Sequence, residues 1–213
     1  TISLISNFKK NPTHKEFAEL KRTHLEAEHQ QLMQQLQPHF LFNALSTLKS
    51  LIHKDQDLAE EYLIKLSDFL RFTVSANEQS VISLNDELKF TIDYVDLQKM
   101  RFSDSFFCNI DIPQESLHKF SIPVYALQTL AENAIKHNVF TDKNPLRLSI
   151  ILKDDNLIIS NNKLPKPNSS NDNGIGLKNL NKRFQLCEGA DIAITNNENE
   201  FIVVLKLLPK QIC

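Results

Sequence analysis

Glycine is scarce in this sequence of 213 residues, which contains three glycines and none before Gly174. Because glycine commonly provides tight turns and helix C-caps, its absence favours long helices in the first part of the chain. Cysteine is also scarce, since Cys108, Cys187 and Cys213 are an odd number and lie far apart. This spacing argues against a disulfide framework and a zinc site, and it is typical of a reducing compartment.

The sequence also lacks an excess of positive charge. Lys and Arg number 24 against 26 Asp and Glu, which gives a net charge of −2. We therefore expect no direct nucleic-acid partner, because such a partner needs a basic surface. No apolar run approaches the ~18–20 residues that span a bilayer, and Lys9 and Lys10 interrupt the apolar residues near the start, so we expect neither a membrane span nor a signal peptide in this chain.

The first part of the chain has the apolar spacing of helices. Residues 14–37 are polar with a thin apolar seam, which fits a coiled coil, although a solvated leader segment has the same composition. Residues 38–53 and 57–76 predict two amphipathic helices, and their short connection predicts an antiparallel hairpin. Ser83 predicts the N-cap of a further helix that runs to about Phe102.

The rest of the chain changes to an α+β pattern. Its predicted strands are residues 106–112, 146–152, 157–160, 190–195 and 201–208, and its predicted helices are residues 123–139, with Pro123 in the first helical position, and 177–186. We expect a helical hairpin followed by a two-layer domain with a mixed, mainly antiparallel sheet. The polar stretch at residues 75–80 predicts a boundary between a domain at residues 1–80 and one at residues 81–213.

His39 lies on the polar side of the helix predicted for residues 38–53. At about 100° per residue, the apolar residues fall in one arc and His39 lies roughly opposite, with Asn43 one turn later. An exposed imidazole suits nucleophilic or proton-transfer chemistry, and Asn43 can orient it by a hydrogen bond. A histidine without a function explains the same position, whereas a metal site there lacks a second good ligand.

The segment Gln37-Pro38-His39-Phe40-Leu41-Phe42-Asn43-Ala44-Leu45 resembles the H-box of LytS-type sensor histidine kinases. The resemblance extends over about residues 17–208 and implies that His39 is the autophosphorylated histidine. Many histidine kinases have an acidic residue directly after this histidine, where the present chain has Phe40. Asn43, or Glu132 once the two domains dock, is our hypothesis for the residue that keeps the imidazole neutral and oriented.

Residues 130–138, Leu-Ala-Glu-Asn-Ala-Ile-Lys-His-Asn, resemble the N-box of the ATP-binding domain that histidine kinases share with gyrase and MutL. On a helix, Glu132 and Lys136, like Asn133 and His137, form i,i+4 pairs on one polar stripe. The resemblance implies that Asn133, Lys136 and His137 contact the nucleotide and that Asn133 binds Mg²⁺, which prefers oxygen ligands. A solvated helix face would show the same stripe.

Residues 174–179, Gly-Ile-Gly-Leu-Lys-Asn, resemble the second glycine box of the same family. Two glycines at a helix N-terminus let backbone N–H groups approach a phosphate, whereas an isolated pair of glycines would only predict a turn or a helix C-cap. The resemblance implies nucleotide contacts by Gly174, Gly176, Leu177 and Asn179. Arg183 matches the arginine that follows this box in the family.

The first glycine box, Asp-x-Gly-x-Gly in the family, is the main departure. Residues 172–176 match the residue pattern of this box, but they follow a polar loop. Asn161-Asn162-Lys163 follows a predicted strand, as the box does in the family. We therefore predict that Asn161 contacts the adenine amino group, with an amide oxygen that accepts more weakly than a carboxylate. Asp172 is the alternative candidate.

Taken as a whole, the resemblance implies the kinase core of a sensor with a GHKL-type ATP-binding sandwich. It implies ATP and Mg²⁺ as ligands, a homodimer, a response regulator that often carries a LytTR-type DNA-binding domain, and a cytoplasmic location in a membrane-anchored sensor. Two other interpretations are a non-catalytic dimeric scaffold with a degenerate nucleotide pocket, which the departure at Asn161 favours, and an ATP-driven clamp, which the H-box disfavours.

Overall fold

The computed structural model describes residues 38–75, 79–164, 175–188 and 192–209. The chain divides into two compact units, residues 1–43 and residues 44–213. Only residues 38–43 of the first unit are described, and the leader helix predicted for residues 14–37 lies outside the described residues. None of the described helices is long and apolar enough to span a bilayer.

The described elements include five α-helices and eight strands. In chain order they are α1 (Pro38–Lys54), α2 (Gln56–Ser75), β1 (Val81–Ser83), α3 (Leu84–Phe102), β2 (Phe106–Asp111), β3 (Phe120–Pro123), α4 (Ala126–His137), β4 (Leu146–Lys153), β5 (Asn156–Asn162), α5 (Ile175–Glu188), β6 (Ala193–Asn196), β7 (Glu200–Lys206) and β8 (Leu208–Pro209). The two amphipathic helices and the α+β pattern predicted from the sequence are both present.

Asp55 alone separates α1 from α2. Its side chain accepts a hydrogen bond from the backbone N–H of Leu58 at 3.0 Å, so it acts as the N-cap of α2. Further along the two helices, the side chains of Thr47 and Tyr62 share a hydrogen bond. Since these two residues lie on opposite sides of Asp55, the bond requires a sharp bend between the two helices.

Aromatic stacking joins α2 to α3. The ring of Phe90 stacks on Phe69 with a centroid distance of 4.7 Å and on Phe72 with a centroid distance of 4.3 Å. An ion pair of 2.8 Å between Lys65 and Asp96 closes the same interface further along. At the start of α3, the Ser83 hydroxyl accepts a hydrogen bond from the backbone N–H of Asp86, which confirms the predicted N-cap.

The main sheet has five strands in the order β2-β4-β5-β7-β6. β2 pairs with β4 in parallel and the other pairs are antiparallel, so the predicted mixed, mainly antiparallel sheet is confirmed. The two-residue turn between β4 and β5 contains Asp154 and Asp155, whose φ angles of 48° and 60° are typical of a tight hairpin turn. Burial alternates along β5, which places Leu157, Ile159 and Asn161 on the covered face.

A second, three-stranded sheet in the order β1-β3-β8 was not predicted. Its pairing also corrects the start of the helix predicted for residues 123–139. Pro123 ends β3, where it lies opposite Val81 of β1, and α4 begins only at Ala126. Tyr125, with a φ of 61°, forms the corner between the strand and the helix.

The core of the second unit lies between the helices and the main sheet. Its fully buried side chains include residues of α4 (Leu127), α5 (Leu180) and the strands β4, β5 and β7 (Ile150, Leu157 and Leu205). The apolar side of α4 therefore faces inward, and its polar stripe lies along the edge of this core. This arrangement positions the candidate nucleotide site.

Candidate functional site

His39 is exposed in the first turn of α1, while Ala44 and Leu51 of the same helix are buried. The side chain predicted to face away from the apolar arc therefore does so. The Asn43 amide nitrogen lies 3.2 Å from Nδ1 and 3.3 Å from Nε2 of His39. Since only one ring nitrogen of a given imidazole tautomer can accept, the Asn43 amide can donate to one of the two at a time.

A carboxylate from another helix caps the start of α4. Tyr125 precedes α4 and has no side-chain hydrogen bond that caps it. Instead, fully buried Glu87 of α3 accepts hydrogen bonds from the backbone N–H groups of Tyr125 at 2.9 Å, Leu127 at 2.8 Å and Gln128 at 3.5 Å. Glu87 therefore satisfies N–H groups that a helix start leaves without intrahelical partners.

Burial raises the pKa of Glu87 from 4.5 to about 7, although its three backbone hydrogen bonds and the nearby charge of Arg183 oppose the rise. Arg183 of α5 donates a hydrogen bond to the backbone carbonyl of Val124, next to the corner at Tyr125. Burial lowers the pKa of Arg183, and the charge of Glu87 opposes that change. These contacts show that the family arginine joins α5 to the start of α4.

A cavity of about 300 Å³ lies beside α4, α5 and one end of the main sheet. Its lining residues are Asn133, His137, Asn138, Asn161, Lys163, Leu177, Asn196 and Phe201. Four of them, Asn133, His137, Asn161 and Leu177, were predicted as nucleotide contacts.

The sheet side of the cavity is one row of residues across three strands. Asn161 of β5 pairs with Phe201 of β7, which pairs with Asn196 of β6. The side-chain amide nitrogen of Asn161 donates to the carbonyl oxygen of Asn162 at 2.7 Å, which leaves its side-chain oxygen as the end that can accept from a ligand. None of the three side chains carries a formal charge.

Asn138 connects the helix side of the cavity to the end of β5. Its amide nitrogen donates to the carbonyl of Ala134 at 2.8 Å, and its side-chain oxygen accepts from the backbone N–H of Leu164 at 2.5 Å. The backbone N–H of Val139 also donates to the carbonyl of Leu164 at 2.7 Å. The two sides of the cavity are therefore held at a fixed separation.

Gly176 lies directly against Asn133. A Cβ atom at Gly176 would lie 3.6 Å from the Asn133 side-chain oxygen and 3.6 Å from Cγ2 of Thr129. These are ordinary contact distances, so a methyl group would fit but would stand beside the predicted metal ligand. Gly174 and Asp172 lie outside the described residues.

Three predicted residues lie away from the cavity lining. Lys136 and Asn179 are exposed on α4 and α5 and are not among its lining residues. Glu132 is half-buried, and its charge contributes, after burial, to the raised pKa of Tyr94 on α3. Glu132 therefore lies near α3.

The residues that line the cavity fit Mg²⁺ only if a bound nucleotide supplies further oxygen ligands from its phosphates. Among residues 38–75, 79–164, 175–188 and 192–209, no cluster of three or more His, Cys, Asp or Glu side chains could hold a metal ion. Mg²⁺ usually keeps several waters and binds one or two protein oxygens together with substrate phosphates. The side-chain oxygen of Asn133 is a suitable protein donor of this kind.

Four residues of the cavity lining were not predicted as site residues: Asn138, Lys163, Asn196 and Phe201. Asn138 lies in the N-box segment, so that motif was a signal for it. Phe201 and Asn196 reach the cavity only through strand pairing with Asn161, and no local pattern indicates that register.

Comparisons with known proteins point to one family. The family model described as Histidine kinase matches residues 27–106. Sensor protein LytS of Oceanobacillus iheyensis is 30% identical over 217 residues, which cover 93% of this chain and 37% of the relative. Sensor protein LytS of Streptococcus agalactiae serotype V is 31% identical and covers 77% of the chain. Sensor histidine kinase BtsS of Escherichia coli K12 is 32% identical and covers 76%.

The chain spans about a third of the length of these curated relatives. Among solved structures, the cytoplasmic segment of histidine kinase QseC is 18% identical, with a TM-score of 0.42, and the match covers 70% of this chain and 94% of that one.

Proposed function

This chain belongs to the LytS-type sensor histidine kinases, and we propose that it is a kinase core that autophosphorylates on His39 with ATP·Mg²⁺ and passes the phosphoryl group to an aspartate of a response regulator. In this proposal residues 1–80 provide dimerisation and the phosphoacceptor, and residues 81–213 bind ATP. The observation that carries it is the exposed imidazole of His39, held by Asn43 on an otherwise amphipathic helix.

The proposed reaction is an in-line phosphoryl transfer. A lone pair on an imidazole nitrogen of His39 forms the new bond to the γ-phosphorus, the bond between that phosphorus and the β-phosphate oxygen breaks, and ADP leaves with the electron pair. The attacking nitrogen must keep its lone pair free, so in this proposal Asn43 orients the ring through the other ring nitrogen, whose N–H its side-chain oxygen can accept. Asn43 is therefore proposed as the residue that orients the ring, with Glu132 as the alternative.

The nucleotide is proposed to bind in the cavity between α4, α5 and the main sheet. Asn161 offers its side-chain oxygen to the adenine amino group, and the start of α5 at Gly176 offers backbone N–H groups to phosphate. Asn133 would hold Mg²⁺, which supplies charge neutralisation of the phosphates when bound. His137 and Leu177 line the same cavity, while Lys136, Asn179 and Gly174 remain proposed contacts from the resemblance alone.

A homodimer is supported by the apolar residues that the hairpin leaves exposed. Leu45 and Ile52 lie seven residues apart on α1, and each is 50% exposed. Leu63 and Val74 of α2 are 49% and 55% exposed and share one side of their helix, since eleven residues span about three turns. Two hairpins that cover these residues mutually would form a four-helix bundle.

The partner and the location are proposed from the family. A response regulator, which often carries a LytTR-type domain in this family, would receive the phosphoryl group. We propose that the described region lies on the cytoplasmic side of a membrane-anchored sensor, because the curated relatives are sensor proteins about three times longer than this chain.

A non-catalytic scaffold is the second candidate function. Asn161 and Lys163 occupy positions where the family box has aspartate and glycine, so the pocket has lost the carboxylate that meets adenine elsewhere. A scaffold would keep the hairpin and its dimer but would not bind nucleotide.

Incubation with γ-labelled ATP·Mg²⁺ separates these functions, with His39→Gln and His53→Gln as matched variants, since His53 is an exposed histidine at the other end of α1. We expect protein-bound label in the wild type and in His53→Gln and none in His39→Gln. Absence of nucleotide binding would support the scaffold. Release of free phosphate without labelled protein would support an ATP-driven clamp.

A further inference from the structure

Lys163 follows β5 directly and makes two hydrogen bonds to the turn between β6 and β7. Its backbone N–H donates to the carbonyl of Asn199 at 2.8 Å, and its Nζ donates to the carbonyl of Asn197 at 2.6 Å. When Asn161-Asn162-Lys163 is aligned with the first glycine box of the family, Lys163 stands at the position of that box's first glycine. A glycine could make the first of these bonds but not the second.

The turn that Lys163 holds is ordered by its own residues. The side-chain oxygen of Asn197 accepts from the backbone N–H groups of Asn199 at 3.0 Å and Glu200 at 2.7 Å. The backbone N–H of Asn197 donates to the carbonyl of Glu200 at 3.1 Å. Because these bonds make the turn rigid, a contact that fixes Asn197 also fixes the residues on either side of it.

Those flanking residues are the sheet side of the cavity. Asn196 directly precedes the turn, Phe201 directly follows Glu200, and both line the cavity together with Lys163. Asn196 belongs to β6, the outermost strand, which pairs only with β7 in the main sheet and is exposed along its whole length. An edge strand of this kind is held on one side only, so a second attachment has a large effect on its position.

We propose that Lys163 is a positioning residue for nucleotide binding, which ties the β6–β7 turn to the end of β5 and so fixes Asn196 and Phe201 against the bound nucleotide. This inference rests on the proposed ATP-binding function of the cavity. It assigns Lys163 no contact with phosphate, since the role proposed here needs only the hydrogen bond from its ammonium group to the carbonyl of Asn197.

The test compares Lys163→Met with Lys206→Met in the full chain. Methionine keeps an unbranched apolar side chain but removes the donor, and Lys206 is an exposed lysine at the other end of β7. Loss of one charge-assisted hydrogen bond predicts binding about tenfold weaker for Lys163→Met, measured by calorimetry with ATP·Mg²⁺ and with ADP·Mg²⁺. The weakening should be equal for the two nucleotides and should appear in KM, with kcat changed less than about twofold.

Lys163→Arg, which keeps a donor, should recover most of the affinity, and thermal unfolding of each variant shows whether the fold is retained. If Lys163→Met does not fold, Lys163→Ala, which also lacks a side-chain donor, gives the same comparison. A larger loss for ATP than for ADP would overturn the inference, because it would identify a direct γ-phosphate contact. Unchanged affinity in Lys163→Met would overturn this inference but not the proposed ATP-binding function. A wild-type chain that binds neither nucleotide would overturn both.

Discussion

Substitution of Glu87 by glutamine should change how the stability of this protein depends on pH. Glu87 is fully buried, and burial raises its pKa from 4.5 to about 7. The folded chain therefore binds a proton at Glu87 in a range where the unfolded chain does not. Its contribution is fully present below about pH 4.5 and is lost as pH rises through about 7.

The magnitude follows from the size of this shift. A rise from 4.5 to about 7 corresponds to about 3 kcal/mol, since one pKa unit is ~1.4 kcal/mol. We therefore expect the free energy of unfolding of the wild type, relative to Glu87→Gln, to fall by about 2–3 kcal/mol between pH 5 and pH 8. Glutamine cannot ionise, so the variant lacks this contribution.

Urea denaturation followed by circular dichroism is a suitable assay, because the sequence contains no tryptophan. Glu60→Gln is the matched control, since it makes the same chemical change at an exposed position of α2 and should shift the free energy of unfolding by less than about 0.5 kcal/mol at each pH. A wild-type-to-variant difference that stays constant from pH 5 to pH 8 would contradict this prediction, because Glu87 would then hold the same charge throughout.

Three further predictions concern the cavity and the hairpin. Asn133→Ala should weaken Mg²⁺-dependent nucleotide binding by at least about tenfold in calorimetry, whereas Asn179→Ala, at an exposed position outside the cavity lining, should have a smaller effect. Gly176→Ala should retain the fold, with a change in stability within about 1 kcal/mol, but should lower nucleotide affinity because the methyl group would stand beside Asn133; unchanged affinity would contradict this placement. Leu45→Lys combined with Ile52→Lys should convert a dimer to a monomer in analytical ultracentrifugation, and a persistent dimer would remove α1 from the interface.

Local patterns in the sequence were sufficient for several parts of the fold. The 3.6-residue period of α1 predicted an outward-facing His39, and the structure agrees because Ala44 and Leu51 occupy the buried side. The Ser83 cap was also predictable, since it depends on residues three apart.

Contacts between distant segments could not be predicted in this way. The sheet of β1, β3 and β8 consists of strands of three, four and two residues, which are too short to show a period. Pro123 resembled a helix start because the pairing of β3 with β1 leaves no local signal. The cap of α4 by Glu87 joins residues 38 to 41 positions apart, so neither segment indicates it alone.

The candidate site shows the same difference between residues that a local pattern indicates and residues that only tertiary contacts bring together. The helix side of the cavity was predicted through the resemblance of residues 130–138 to the N-box, in which Asn133 and His137 are one helical turn apart. The sheet side was predicted only at Asn161, because Phe201 and Asn196 reach the cavity through the register of three strands.

Peptide mapping can identify the residue that is phosphorylated, which we propose is His39. After reaction with γ-labelled ATP·Mg²⁺, proteolysis at neutral or alkaline pH should give one labelled peptide, which contains His39, and its label should resist alkali and be lost in acid, as expected of a phosphorus–nitrogen bond. Label on any other residue, or none on a wild-type chain that binds ATP, would contradict the account.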